Sequence, residues 1–143
     1  MNTITTVYGG DMSFEAIIGK HRVVVDAIEA MGGKGRGPTA SELFLASLSS
    51  CVAVFVAAYC ERTDLDTTGL TVDVSYERTE HPTSFTDIEV TINLPNAEVG
   101  DRLEAIRRVA EHCPVHETVE YSLKEIVFEV RDQVRLAKPA GSA

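Results

Sequence analysis

Three cysteines are the residues of this sequence that could carry covalent chemistry: Cys51, Cys60 and Cys113. The first two lie in residues 43–60, eighteen residues without an Asp, Glu, Lys, Arg or His. The thiolate is the nucleophilic form of cysteine and is stabilised by a nearby positive charge, whereas a structural cysteine needs only apolar neighbours. An uncharged segment therefore favours structural thiols, unless a cation reaches them from another part of the chain.

Helical geometry separates the two thiols of this segment. At about 100° per residue, the nine residues between Cys51 and Cys60 place them on opposite sides of a helix, so they cannot pair with each other. Cys60 precedes a charged pair, Glu61-Arg62, and is interpreted as structural. Cys113 continues the apolar stripe of a second predicted helix and faces the core, where the first helix must also lie. A thiol on a rigid helix and another at a helix end followed by proline form the arrangement expected of an attacking and a resolving cysteine.

The stretch HCPVH, residues 112–116, also allows a metal interpretation. Cys113 and His116 have C-x-x-H spacing, and Cys51 could supply a third ligand. One such spacing is a weak signal, and His112 suits a helix C-terminus, where the dipole favours a positive group. The prediction is therefore that the site contains no metal and that the protein uses no cofactor.

Length and charge narrow the class of protein. The 143 residues are most simply one domain, assigned to residues 1–132, with a tail over residues 133–143. The formal net charge of −9 argues against nucleic acid and against an anionic membrane surface, since both need clustered Lys and Arg. The first residues have no basic and apolar signal pattern, and three cysteines are too few for a disulfide scaffold, so a cytoplasmic location is expected. A membrane span over residues 43–60 is the less favoured alternative to a buried helix.

Hydrophobic periodicity predicts an α+β order of elements. The predicted strands cover residues 13–18, 21–27, 70–77, 85–94 and 125–131, and the predicted helices run from Thr39 to about 62–64 and over about 97–112. Thr39 and Glu42 form a capping box at the start of the long helix, after a loop with four glycines in residues 31–38. This helix has no polar face, and one small sheet cannot cover it on all sides. A second copy of the chain is expected to supply the missing cover, so the sequence predicts a homodimer.

Two segments resemble one known family. GPTASELFLASLSSC, residues 37–51, is similar to the signature G-P-x-P-x-E-L-L-L-A-A-L-x-x-C of the OsmC/Ohr family, the osmotically induced and organic hydroperoxide resistance proteins. CPVHETV, residues 113–119, resembles the second-cysteine segment of that family, and the order of elements matches over nearly the whole chain. The resemblance implies an OsmC-like α+β fold, with antiparallel sheet, two long central helices and an intertwined homodimer whose active sites lie at the subunit interface.

The resemblance also implies a function. Members of the family are thiol peroxidases that use no metal or haem, reduce organic hydroperoxides and are recycled by dithiols such as protein-bound lipoamide. By position, Cys51 would be the peroxidatic cysteine and Cys113 the resolving one. The family activates its cysteine with an arginine from an N-terminal segment, and here the candidates are Arg22 and Arg36. Arg22 is preferred, because a strand end positions a side chain better than a glycine loop does.

The glutamate of the family is where this sequence departs from the pattern. In the best-characterised members that residue directly follows the proline, ten positions before the cysteine, where this chain has Ser41. Glu42 lies nine before Cys51, on the opposite side of the helix, where a broader branch of the family has its glutamate. Glu42 is retained as a candidate catalytic residue, although its capping role explains it without catalysis. The predicted contacts for an apolar substrate are Phe44, Leu48 and Phe55. The alternatives are a small-ligand or lipid-binding protein and a redox sensor on the same fold.

Overall fold

The computed structural model describes residues 2–122 and 126–131, which form two antiparallel sheets and a long helix between them in the chain. The first sheet contains β1 (Thr5–Gly10), β2 (Ser13–Ile18) and β3 (His21–Asp26), and the second contains β4 (Thr71–Glu80) and β5 (Thr83–Asn93). The helices are α1 (Ala40–Arg62), α2 (Leu103–Glu111) and the short α3 (Pro114–Glu117), which continues into a π-helical turn over Thr118–Ser122. Single 3₁₀ turns cover Glu29–Met31 and Gly100–Arg102. The predicted α+β class is confirmed.

Each sheet is built from strands that follow one another in sequence. In the first, β2 pairs with both β1 and β3, with Val7 opposite Glu15 and Ala16 opposite Val23. In the second, β4 and β5 form a long hairpin with an irregularity between Ser75 and Glu77. The predicted strands from residue 13 to residue 94 are confirmed to within a few residues. β1 was not predicted, because the short segment TTVYGG shows little alternation and is mostly exposed.

A capping box fixes the beginning of α1. The Thr39 hydroxyl accepts a hydrogen bond from the Glu42 backbone N–H at 3.3 Å, and the Glu42 carboxylate accepts one from the Thr39 backbone N–H at 2.7 Å. These bonds satisfy backbone groups that the first helical turn leaves free. The Thr39 backbone N–H and the Thr39 hydroxyl both donate to the Glu42 carboxylate. These two bonds lower the pKa of Glu42, because they favour its charged form. The capping box read from the sequence is confirmed.

One stripe of α1 forms the centre of the core. The stripe repeats every three or four residues and consists of Leu45, Leu48, Val52, Val56 and Cys60. It packs against Ile106, Ala110 and Cys113, and the strands of the second sheet add partly buried side chains such as Val72 and Ile92. The other side of α1 exposes Phe44, Val54 and Phe55. By length and composition alone α1 could cross a membrane, which is a property it shares with core helices of soluble proteins.

A buried carboxylate organises the glycine loop that leads into α1. Asp26 is 2% exposed and accepts hydrogen bonds from the backbone N–H groups of Ala27, Lys34 and Arg36 and from the Arg36 guanidinium. The loop lies so close to the end of β3 that a Cβ atom at Gly37 would collide with the backbone of Val24 in the strand, and one at Gly33 with the backbone of Ala27 just after it. The glycines and the Asp26 carboxylate therefore hold the loop in place. Hydrogen bonds from the Arg36 side chain and backbone hold the pKa of Asp26 far below its usual range.

Two predicted elements differ from the structure. The second helix was predicted to begin near residue 97, but α2 begins at Leu103 and is nine residues long. Gly100 has a φ of 56°, a left-handed conformation that an α-helix cannot contain, and a 3₁₀ turn begins there instead.

The strand predicted over residues 125–131 is also wrong for its described part, since residues 126–131 pair with no strand in either described sheet. Their apolar side chains, including Val127 and Phe128, are exposed. An alternating apolar segment becomes a strand only where an edge is available for its backbone hydrogen bonds. Residue 125 and the predicted tail over residues 133–143 lie outside the described residues.

Replacing Thr39 with Ala is expected to destabilise the protein by about 1 kcal/mol, because the first turn of α1 loses its side-chain cap. Urea unfolding followed by circular dichroism measures this difference. The matched control is Thr39→Ser, which keeps the hydroxyl and should unfold close to the wild type. Equal stability of the Ala and Ser variants would contradict a stabilising role for the cap.

Replacing Asp26 with Asn is expected to lower the thermal unfolding midpoint at neutral pH. A carboxylate whose pKa is depressed on folding stabilises the folded state above the unfolded-state pKa of about 3.9, and this contribution is lost as the pH falls further. The difference in midpoint between the wild type and Asp26→Asn should therefore shrink as the pH is lowered below about 4. Calorimetry at a series of pH values tests this, and a constant difference would contradict it.

Candidate active site

The fold brings two of the free thiols together. Cys51 lies halfway along α1 on the flank of the buried stripe, and Cys113 lies directly after α2 as the N-terminal cap of α3. Cys51 packs against the buried cluster that contains Cys113, and the two thiols are close enough for Cys113 to raise the pKa of Cys51. Cys113 is fully buried, whereas Cys51 is partly exposed. Cys60 is also fully buried, but it belongs to the stripe itself and lies nine positions along α1, on the opposite side of the helix from Cys51.

Backbone donors of α3 point at both sulfur atoms. The Val115 N–H contacts the Cys51 thiol, and the His116 N–H donates to Cys113 Sγ at 3.3 Å. Both amides belong to the first turn of a helix, where N–H groups have no partner within the helix, and Pro114 at the preceding position has none to offer. This end of α3 therefore supplies two hydrogen-bond donors to the thiol pair. The sequence interpretation missed these donors, although proline directly after Cys113 is a signal for a helix start.

The surroundings of Cys51 disfavour its thiolate. Burial raises the pKa of Cys51, the hydrogen bond with Cys113 raises it further, and the Val115 N–H lowers it. Within residues 2–122 and 126–131, no positively charged side chain is among the groups that shift this pKa. Burial also raises the pKa of Cys60. The cation that a reactive Cys51 requires is therefore not supplied by the described part of this chain.

The two candidate arginines lie elsewhere and have different partners. Arg22, on β3, donates to the Glu15 carboxylate at 2.7 Å in an exposed ion pair. Arg36 forms a denser set of contacts: its Nε and Nη2 atoms donate to Asp26, and its Nη1 and Nη2 atoms contact Asp11. Bonds to Asp26 raise the pKa of Arg36. Arg36 therefore holds the glycine loop in place. Arg22 makes one solvent-screened ion pair, and pairs of this kind contribute little to stability.

Glu42 is likewise directed away from the thiols. Its Oε2 atom accepts hydrogen bonds from the Thr39 backbone N–H and from the Thr39 hydroxyl, at 2.7 and 3.1 Å. These contacts account for its carboxylate, and the helical spacing puts it on the far side of α1 from Cys51. The structure does not bring Glu42, Arg22 or Arg36 to the thiol pair.

An apolar cavity of about 530 Å³ lies between α1, β5 and α2, and its lining includes neighbours of both cysteines but neither Cys51 nor Cys113. Leu48 and Val52, which flank Cys51 on α1, form one wall; β5 contributes Val90 and Ile92, and α2 contributes residues that include Ile106 and Ala110. Of the predicted substrate contacts only Leu48 lines this cavity. Phe44 instead stacks on Phe85 with ring centroids 6.2 Å apart, and Phe55 lies beside Val109 in a separate surface depression.

The polar side chains of the cavity belong to Arg107, Glu111 and His116. His116 is also a member of the C-x-x-H spacing that allowed a metal interpretation. Among the described residues, no group of three or more His, Cys, Asp and Glu side chains lies close enough together to hold a metal ion. What the arrangement offers is a thiol pair beside an apolar cavity with a few polar groups.

Comparison with known proteins identifies the fold. Residues 33–126, more than half of the chain, match the family described as OsmC-like protein. The chain is similar to the crystal structure of a putative osmotic stress induced and detoxification response protein from Psychrobacter arcticus 273-4, with 24% identity, a TM-score of 0.73, and coverage of 85% of this chain and 90% of the other. An OsmC-like protein from Mycoplasma pneumoniae has 20% identity and a TM-score of 0.68, with coverage of 85% and 88%.

A further similar structure carries a functional name. The organic hydroperoxide resistance protein OhrB of Bacillus subtilis has 19% identity and a TM-score of 0.54, with coverage of 85% of this chain and 91% of the other. At these identities the solved structures establish the fold alone. No curated protein matches the chain. The match over residues 33–126, together with the shared fold, shows that this chain belongs to the OsmC-like family.

Proposed function

We propose that this protein is a thiol-dependent peroxidase that reduces organic hydroperoxides to alcohols through Cys51 and Cys113. The observation that carries the proposal is the contact between these two thiols, which come from helices separated by a sheet in the sequence. Cysteines that only fill a hydrophobic core do not need to contact each other. The name of the similar OhrB protein, organic hydroperoxide resistance, agrees with this chemistry.

The reaction follows from the arrangement of the thiols. Cys51 is the partly exposed thiol, so its thiolate attacks the outer oxygen of the hydroperoxide, the O–O bond breaks, and the alkoxide leaves as the alcohol after taking up a proton. Cys51 is then a sulfenic acid. The sulfur of Cys113 attacks it, a disulfide forms and water leaves. An external dithiol of the lipoamide type reduces the disulfide by exchange and is itself oxidised to its disulfide.

The backbone donors of α3 have a part in this sequence of steps. The Val115 N–H stabilises negative charge on Cys51, and the His116 N–H does the same for Cys113. Cys113 lies in the turn between two short helices, α2 and α3, where a small local movement is enough to bring the sulfurs to bonding distance. The cavity beside Leu48 and Val52 accepts the apolar part of the hydroperoxide.

A homodimer completes the site in this proposal. The apolar outer face of α1 and the unpaired segment 126–131 both lack cover within the described chain. The second subunit covers them and supplies the cation that Cys51 lacks. Arg22 is the better candidate, because its exposed pair with Glu15 is weak, whereas Arg36 is needed by the buried Asp26. We place the protein in the cytoplasm, where reductants keep such thiols available.

The cavity supports a second candidate function. Its volume of about 530 Å³ and apolar walls are those of a small-ligand or lipid site. In that case the thiols would only pack against each other, and the raised pKa of Cys51 would keep them unreactive. A redox sensor is the remaining alternative, since it would form the disulfide without sustained turnover.

Replacing Cys51 with Ser is expected to abolish consumption of cumene hydroperoxide with dihydrolipoamide or dithiothreitol as reductant, because the attacking thiolate is absent. Without reductant, Cys113→Ser should consume no more than one equivalent of peroxide and form no intramolecular disulfide. Cys60→Ala, the matched control, should retain turnover. Peroxide assays and peptide mass mapping measure these outcomes.

The same experiment separates the candidate functions. Wild-type consumption of peroxide by Cys51→Ser would show that the peroxidase proposal is wrong. A Cys51–Cys113 disulfide without turnover would identify a sensor, and neither disulfide nor turnover would favour the binding protein.

Replacing Arg22 with Gln is expected to shift the pH midpoint for alkylation of Cys51 by iodoacetamide upward by about one pH unit, because a cation near a thiol favours its charged form. The matched control is Lys20→Gln, which removes a charge from the turn directly before β3 and should leave the midpoint unchanged. Equal midpoints in wild type and Arg22→Gln would exclude Arg22 as the activating cation. An equal shift in Lys20→Gln would indicate a general effect of surface charge.

A further inference from the structure

The side chain of His116 makes two hydrogen bonds that nothing in the proposed reaction accounts for. Its Nδ1 atom lies 2.8 Å from the backbone oxygen of Glu111, and its Nε2 atom lies 2.7 Å from Glu120 Oε2. A carbonyl oxygen can only accept, so Nδ1 carries the proton of that bond. The Glu120 carboxylate accepts from Nε2 when that nitrogen is also protonated.

These contacts close the turn that carries Cys113. Glu111 is the last residue of α2 and His116 lies in α3, so the ring joins the two ends of a six-residue segment with Cys113 inside it. The backbone N–H of His116 donates to Cys113 Sγ at 3.3 Å. One residue thus holds the backbone on both sides of the thiol and contacts its sulfur. Glu120 extends the same connection into the π-helical turn.

A second histidine of the segment provides a natural comparison. His112 contacts the Glu117 carboxylate at 2.7 Å, but its side chain is 73% exposed, whereas that of His116 is 33% exposed. His116 also lines the apolar cavity, while His112 does not. An exposed ion pair of the His112 type contributes little to the order of a segment. The His112–Glu117 pair also spans Cys113, so the two histidines differ in the exposure of their contacts and in the backbone bond from His116 to Cys113 Sγ.

We propose that His116 is a positioning residue for Cys113: its bond to the Glu111 carbonyl fixes the turn so that Cys113 Sγ remains against Cys51. The inference rests on the proposed function in so far as it assigns His116 to the disulfide-forming step. The bond to Glu111 is the important one, because it spans Cys113, whereas the bond to Glu120 lies entirely after it. Without the ring, the turn samples other conformations, and the effective concentration of one thiol at the other falls.

The test is the equilibrium between the Cys51–Cys113 thiol pair and oxidised dithiothreitol, in which the protein disulfide forms as the reagent is reduced to its dithiol. No peroxide is used. Acid quenching, alkylation and mass spectrometry give the equilibrium constant for wild type and for His116→Ala. We expect the constant for His116→Ala to be lower by about tenfold, the size of effect expected from losing the hydrogen bonds that hold one reacting group.

Two conservative variants separate positioning from general stability. In His116→Asn the amide nitrogen can occupy the place of Nδ1 and donate to Glu111, so the constant should return to within about twofold of the wild type. In His116→Gln the amide can reach the place of Nε2 and contact Glu120 only, so the constant should remain low. His112→Ala, the matched control, should behave like the wild type. Thermal unfolding of each variant shows whether the folded state is retained.

The proposal fails if the wild type forms no Cys51–Cys113 disulfide, if His116→Ala has the wild-type constant, or if His112→Ala lowers it equally. It also fails if Asn and Gln at position 116 give the same constant. These outcomes are distinct from failure of the proposed function. A protein without peroxidase activity can still show the His116 effect on its disulfide, and an active peroxidase can lack it.

Discussion

The packing of α1 against α2 and the turn after it is the interaction on which the rest of the structure depends. The buried stripe of α1 from Leu48 to Cys60 meets Ile106, Ala110 and Cys113 in one cluster. This contact places the Cys51 thiol against that of Cys113 and leaves the apolar cavity on the side facing β5. Since apolar burial is non-directional, the register of the two helices is set by the complementary shapes of the side chains that pack between them.

The polar groups near this core mainly form hydrogen bonds that hold segments of the backbone in position. Asp26 organises the glycine loop, Thr39 and Glu42 begin α1, and the first amides of α3 contact the two sulfur atoms. Each of these groups satisfies backbone donors that would otherwise lack partners. The consequence for chemistry is that Arg36 and Glu42 are already engaged, and the pKa of Cys51 stays raised by burial. Under the proposed function, the activating charge therefore has to come from a residue with weaker local contacts.

Three features of the described chain point to the same missing element. The outer face of α1 exposes large apolar side chains, residues 126–131 are exposed and pair with no described strand, and Cys51 lacks a cation among the described residues. Each is unfavourable for a chain by itself, because exposed apolar surface and unpaired strand edges promote association. The proposed second subunit would cover the outer face of α1 and residues 126–131 and would supply a cation to Cys51. A dimer would thus be part of the site rather than an addition to a finished enzyme.

The sequence by itself determined much of the local structure and the pair of thiols. The alternation in residues 13–18 and 85–94, the capping box at Thr39 and the separation of Cys51 from Cys60 depend on neighbours along the chain, so periodicity and spacing predict them. Periodicity predicted the α+β class, and the family signature around Cys51 indicated the OsmC-like fold. Local pattern also suggested a strand over residues 125–131, which the described part of the chain does not form.

Only the tertiary structure decided which polar groups face one another. Arg36 turns to Asp26, and the amides of Val115 and His116 reach sulfur atoms on two different elements. Such contacts join residues that are far apart in sequence or depend on the direction of a single turn, and no periodicity encodes them. The pairing of a segment such as 126–131 is decided at the same level, because a strand requires an edge that another part of the assembly must supply.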